Sequence, residues 1–201
     1  MQTKNKIGGL LLLGLAFASC KTTRQLPPSK PDADALIRIE YPETYELANV
    51  VLALTKYGIT DKWQVRKDFA YYEEMRKYFE PYMGHPLLDS VNFSGKRWQE
   101  YLSYRTDSYA FVLDENYKLQ RINDFQSFEI QTFDQYKSLT EDFARTSNFK
   151  AFFQSQQTYR EQMMRKYREE YLLTEMKDFL TKEFGDYFGN KKYTVVISPF
   201  V

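Results

Sequence analysis

A chain of 201 residues with 28 basic and 27 acidic side chains has no electrostatic case for nucleic acid, which needs a concentrated basic face. Its 17 tyrosines and 16 phenylalanines are too many for a disordered composition. A lone cysteine and a lone histidine exclude an internal disulfide and any zinc site built from histidine and cysteine alone.

Lys4 and Lys6 precede an apolar, uncharged run from Ile7 to Ala18, and Ala18-Ser19-Cys20 follows. A basic start, an apolar core of about 7–15 residues and small residues before the cut predict a secretory signal. A spanning helix needs roughly 20 apolar residues; this run is shorter and stops at Lys21. Cys20, directly after two small residues, fits lipobox processing, with Phe17 standing where leucine is commoner. Residues 1–19 are therefore expected to be a lipoprotein signal peptide, and Cys20 the residue that takes the lipid. The alternative is an ordinary signal cut that leaves Cys20 as a free thiol.

Cleavage removes Lys4 and Lys6 and leaves acidic residues one ahead of basic ones, so attachment to the membrane is expected to rest on acyl chains. Residues 20–34 hold Pro27, Pro28 and Pro31 and few apolar groups, a composition that predicts an extended tether. Lys21 at the second mature position favours the outer membrane of a Gram-negative cell. The expected location is thus the cell envelope, with the domain lipid-anchored.

Residues 35–201 suffice for one core. The periodicities predict a single helix-rich domain, mainly α with a few β-strands (α+β). Ile37, Ile39 and Tyr41 alternate with Arg38 and Glu40, the period of a strand. Pro42 stops it and opens a helix whose stripe is Leu47, Val50, Val51 and Leu54, with Gly58 as the expected C-terminal cap. Thr60 or Asp61 is expected to cap a second helix carrying Val65, Phe69, Tyr72 and Phe79, ended by Pro81. Met83 to Phe93 reads as a turn with a short apolar piece.

Ser94 is expected to cap a further helix containing Trp98, Tyr101, Leu102, Tyr109 and Val112. Tyr136, Leu139 and Phe143 form one later stripe, and Phe149, Phe152 and Phe153 another after a cap at Ser147. The longest helix is expected from Thr158 to Phe184, with Met163, Tyr167, Tyr171 and Phe179 inward. Its alternating Arg, Lys and Glu residues read as a solvated face. Gly185 and Gly189 break it, and Lys192 to Pro199 reads as a final strand.

Chemistry is sparse. His85 is the sole histidine and precedes Pro86 in a turn, where a hydrogen-bonded structural role is the simplest expectation. A serine triad would need His85 as its base, and the closeness of Asp89 and Ser90 along the chain is no evidence of triad geometry. Arg105 falls on an apolar helical stripe between Leu102 and Tyr109. A buried guanidinium needs a partner, so Arg105 either pairs with an internal carboxylate or faces a ligand. The eight glycines form no phosphate loop, no HExxH or CxxC is present, and nothing selects one carboxylate pair for acid/base work. No catalytic residue, metal ligand or cofactor is assigned.

Several blocks carry a resemblance: Glu46-Leu47-Ala48-Asn49-Val50-Val51-Leu52-Ala53-Leu54-Thr55 with Tyr57-Gly58, then Phe79-Glu80-Pro81-Tyr82 and His85-Pro86-Leu87-Leu88. Arg105-Thr106-Asp107-Ser108-Tyr109-Ala110-Phe111 and the terminal Ser198-Pro199-Phe200-Val201 continue it. In order, over residues 36–201, they resemble a family of bacterial lipoproteins of unknown function, whose fuller members resemble zincin-type metallopeptidases. The resemblance implies that such members continue past the serine-proline strand into a helix with a histidine-glutamate zinc motif. It also implies a strand beside the cleft able to pair with extended substrate. This chain matches only the part before that motif, so no catalytic or metal residue carries over. A truncated piece would be expected to expose apolar surface along its last strand. The other function in view is a non-enzymatic surface lipoprotein that binds a protein, peptide or glycan through its aromatic-rich helical face.

Overall fold

The computed structural model describes residues 37–170, 173–185 and 192–200. Cys20, the signal peptide, the tether, Tyr171 and Gly189 lie outside the described residues. Among those described, ten α-helices and four short strands form a helix-rich α+β domain.

The alternation at the start makes strand β1 (Ile37–Glu40), and the Val-rich run near the end makes β4 (Tyr193–Val196). They pair in parallel, Ile37 beside Tyr193 and Glu40 beside Val196, so the two ends of the domain meet. The Ile197 amide extends the ladder by donating to the Glu40 carbonyl at 3.0 Å. Beyond β4 the chain turns inward. Residues 197–200 are buried, while β4 itself is partly exposed and pairs with β1 alone among the described strands.

Helix α1 (Glu43–Leu54) follows Pro42 and is buried from Thr44 to Leu54, on every face rather than one stripe. A helix covered all round sits at the centre of a fold. It packs against α2 (Lys56–Thr60), α4 (Pro86–Ser90), α5 (Trp98–Asp107) and strand β2 (Phe111–Leu113). Gly58 is not a terminal cap: it lies inside α2, where a Cβ would come within 2.0 Å of the Leu52 carbonyl oxygen. Glycine is needed there for close backbone approach.

Asp61 does cap, accepting from the Trp63 and Gln64 amides at 2.8 Å each, but no helix follows. Residues 61–69 form an irregular loop instead. Its backbone finds a distant partner, the Arg66 amide donating to the Phe200 carbonyl at 3.2 Å. Helix α3 (Ala70–Phe79) starts only after it. The stretch expected as a turn near His85 contains α4, with Pro86 at its first position.

Helix α5 ends at Asp107, short of Val112, because residues 111–113 pair antiparallel with β3 (Leu119–Arg121) as a hairpin. Short α6 (Thr132–Gln135) packs on α5, and α7 (Lys137–Thr146) on α8 (Phe149–Ser155). Ser147 does not cap α8; its hydroxyl closes α7 by donating to the Phe143 carbonyl at 2.7 Å. Asn148 joins the two helices in the left-handed region, held by Tyr117, whose hydroxyl donates to its Oδ1 at 2.6 Å.

The core is aromatic. Phe79 lies 5.0 Å from Phe152 and 5.7 Å from Phe143, centroid to centroid, within the range of favourable ring pairs. The described residues of the stretch expected as the longest helix are helical over α9 (Gln157–Glu170) and α10 (Leu173–Phe184). No residue of α9 is fully buried, in keeping with a solvated face, and Phe179 on α10 is exposed rather than inward. Gly185, at φ +61°, ends α10. All these elements pack into one unit.

Candidate functional site

The core holds a fully buried carboxylate, Glu46, in the first turn of α1. Three parts of the chain converge on it. Tyr71, from α3, donates its hydroxyl to Oε1 at 2.5 Å, and Ser198, beyond β4, donates to Oε2 at 2.9 Å. Tyr41 lies against the same carboxyl, its buried hydroxyl lacking a hydrogen-bond partner of good geometry. Burial pushes the Glu46 carboxyl up to about 7, while bonds from Tyr71 and Ser198 and the charge of Arg160 pull the other way. Burial also raises the Tyr41 and Tyr71 phenols well above their ordinary range, with the neighbouring Glu46 adding to it.

Phe200 closes the assembly. Its ring meets Tyr71 at 5.4 Å and Phe69 at 6.0 Å, both edge-on. Arg160, half-buried on α9, covers the other side: its guanidinium lies 3.7 Å from the Phe153 ring centroid and donates to the Phe153 carbonyl. No solvent reaches Glu46 itself. The cluster is a lock that ties residues 197–200 to α1 and α3.

His85 takes the structural role. Its Nδ1 accepts the Leu87 amide at 3.2 Å and caps α4, so the proton sits on Nε2, 3.0 Å from Asp142 Oδ2 on α7. The bond from His85 is the main reason the Asp142 carboxyl lies below its ordinary range. Ser90 donates to the Pro86 carbonyl at 2.9 Å, and the carboxylate paired with His85 is Asp142 rather than Asp89. With both ring nitrogens engaged, His85 does not fit a zinc ligand. Among the described residues no three His, Cys, Asp or Glu side chains are placed to hold a metal ion.

Arg105 pairs with no internal carboxylate among the described residues, and its Nε is buried without a hydrogen-bond partner. It lies 5.7 Å from the Tyr101 ring centroid and lines an open groove of about 780 Å³. Ile59 and Thr60 at the end of α2, the loop from Asp61 to Asp68, and Phe200 supply the other walls. Trp63 stands in this loop 89 % exposed.

A second buried carboxylate, Asp107, is fully engaged: Ser103 donates to Oδ2 at 2.6 Å, and the Ser127 amide and hydroxyl donate to Oδ1 at 2.6 and 2.8 Å. It braces the segment before α6.

The groove and the lock share Phe200, and the irregular loop of the groove is pinned by the Phe200 carbonyl. The domain is thus helix-rich α+β, with a buried carboxylate lock beside a groove lined by Arg105. No protein-family model matches the chain, and neither curated proteins nor solved structures give a match.

Glu46 was within reach of the sequence. It lies four residues before Val50 on the apolar stripe of α1, the same kind of misfit that singles out Arg105. Tyr71 and Ser198 carried no such signal, because tyrosine and serine are unremarkable beside a core.

Proposed function

We propose that this chain is a lipid-anchored bacterial envelope protein whose folded domain corresponds to the N-terminal part of a zincin-like metallopeptidase and holds no catalytic set of its own. The leader of basic, apolar and small residues ending at Cys20 supports the anchor. The single observation that carries the rest is the seating of Ser198-Pro199-Phe200. This segment follows a strand that pairs with β1 and is bonded into the core through Glu46. In a metallopeptidase-like protein it would be the rigid lead-in to a zinc-bearing helix. Sequencing the gene through and beyond the Val201 codon tests this. An open frame encoding a histidine-glutamate zinc motif is the expected result, and an immediate stop would remove the metallopeptidase part.

A second function, binding of a partner without catalysis, is favoured by the groove. An arginine without a counter-ion and an exposed tryptophan line one cleft. Binding sites place a few polar groups in a concave surface of this kind. Chromatography of the full chain on immobilised glycans and envelope proteins tests it, with retention lost in a Trp63→Ala variant as the expected result and equal retention against it.

A further inference from the structure

The cations of the groove differ in one respect. Arg66 Nε bonds the Asp68 carboxylate at 3.0 Å. Lys67 donates to the backbone carbonyls of Asp61 and Val65. Asp61 in turn spends an oxygen on the amides of Trp63 and Gln64. Lys62 stands in water without an ion pair, whereas Arg105 has no anion or acceptor among the described residues and its Nε is already out of water. A guanidinium nitrogen out of water with no acceptor is what folded proteins avoid, unless something else completes the bond.

We propose that this groove binds a carboxylated sugar, with Arg105 pairing to the carboxylate and Trp63 lying against the ring. The proposal rests on the binding function above and names its ligand. The planar fork of arginine matches the two oxygens of a carboxylate. The exposed wall is polar, with Thr60, Lys62 and Gln64, while Val65 and Phe200 are buried. That suits a ligand rich in hydroxyls better than an apolar peptide end. An indole face, apolar with a polar edge, is a surface on which a sugar ring can rest. The volume lies within the range of small-molecule sites, about 300–1,000 Å³.

Titration calorimetry of the full chain in detergent tests this, with trigalacturonate, maltotriose and a neutral tripeptide with a free carboxyl end as probes. Saturable binding of trigalacturonate is expected, at least tenfold tighter than either other probe. Arg105→Met should weaken it at least tenfold, and Arg105→Lys less. Trp63→Ala, in an exposed loop where folding is not at stake, should weaken it several-fold. Equal affinity for maltotriose overturns the carboxylate assignment but leaves a sugar-binding groove. Preference for the tripeptide overturns the sugar. No heat from any probe overturns the proposal, and the broader binding function then stands or falls by the chromatography above. Unchanged affinity in both Arg105→Met and Trp63→Ala removes the groove as the site.

Discussion

Ser198 donates its hydroxyl to Glu46 across 152 positions of sequence, joining the last described segment to the central helix. Helix α1, strand β4 and the loop bearing Trp63 are coupled through this bond and through Phe200 beside it. Replacing Ser198 by alanine leaves a buried carboxyl oxygen without its donor, which costs about 1–3 kcal/mol. Urea unfolding of Ser198→Ala should show that loss, and an unchanged midpoint would mean the terminal segment is not held by Glu46.

Glu46 should also set a pH dependence. Its carboxyl is raised from the ordinary 4.5 to about 7 in the folded chain. The folded state therefore holds the proton more tightly than the unfolded chain does. The contribution is fully present below pH 4.5 and is lost as pH rises through about 7. At about 1.4 kcal/mol per pH unit the loss is at most on the order of 3 kcal/mol. Glu46→Gln, which cannot titrate, should flatten the stability profile over that window. A profile identical to the parent's would exclude Glu46 as its source.

The helix-rich α+β class was legible from the chain alone, because the apolar stripes of α1, α7 and α8 are regular and the alternation at Ile37–Glu40 is clean. What stayed hidden depended on distant partners. Asp61 offers a true capping signal, yet the Arg66 amide bonds Phe200 instead of a helical carbonyl. Strands of three residues such as Phe111–Leu113 are too short for a period of two to emerge, so the hairpin read as a helix continued to Val112. Of the residues singled out beforehand, His85 proved a cap and Arg105 a cation without an anion, while Cys20 lies outside the described residues. The Glu46 lock escaped notice because two of its three parts are ordinary residues brought together only by folding.

His85 holds α4 to α7 through its two ring nitrogens. His85→Ala should cost about 1–2 kcal/mol through the lost cap and contact. His85→Asn, which keeps a capping acceptor, should recover part of it. Thermal unfolding checks both, and added zinc should leave the parent's melting temperature where it was. Zinc stabilisation that vanishes in His85→Ala would speak for a metal ligand instead.

Gly58 tolerates no side chain. A Cβ there meets the Leu52 backbone at 2.0 Å, and a backbone oxygen cannot swing aside. Gly58→Ala should destabilise the protein by about 1–3 kcal/mol or more, as overpacking does. An alanine variant as stable as the parent in guanidinium would mean that α1 and α2 sit further apart than described.

The intact mass of the chain purified from bacterial membranes tests the lipid anchor. The expected mass lacks residues 1–19 and is raised by acyl groups on Cys20, with Cys20→Ser keeping its leader and carrying no fatty acid. A chain with Cys20 unmodified, whether the leader is present or gone, would contradict it.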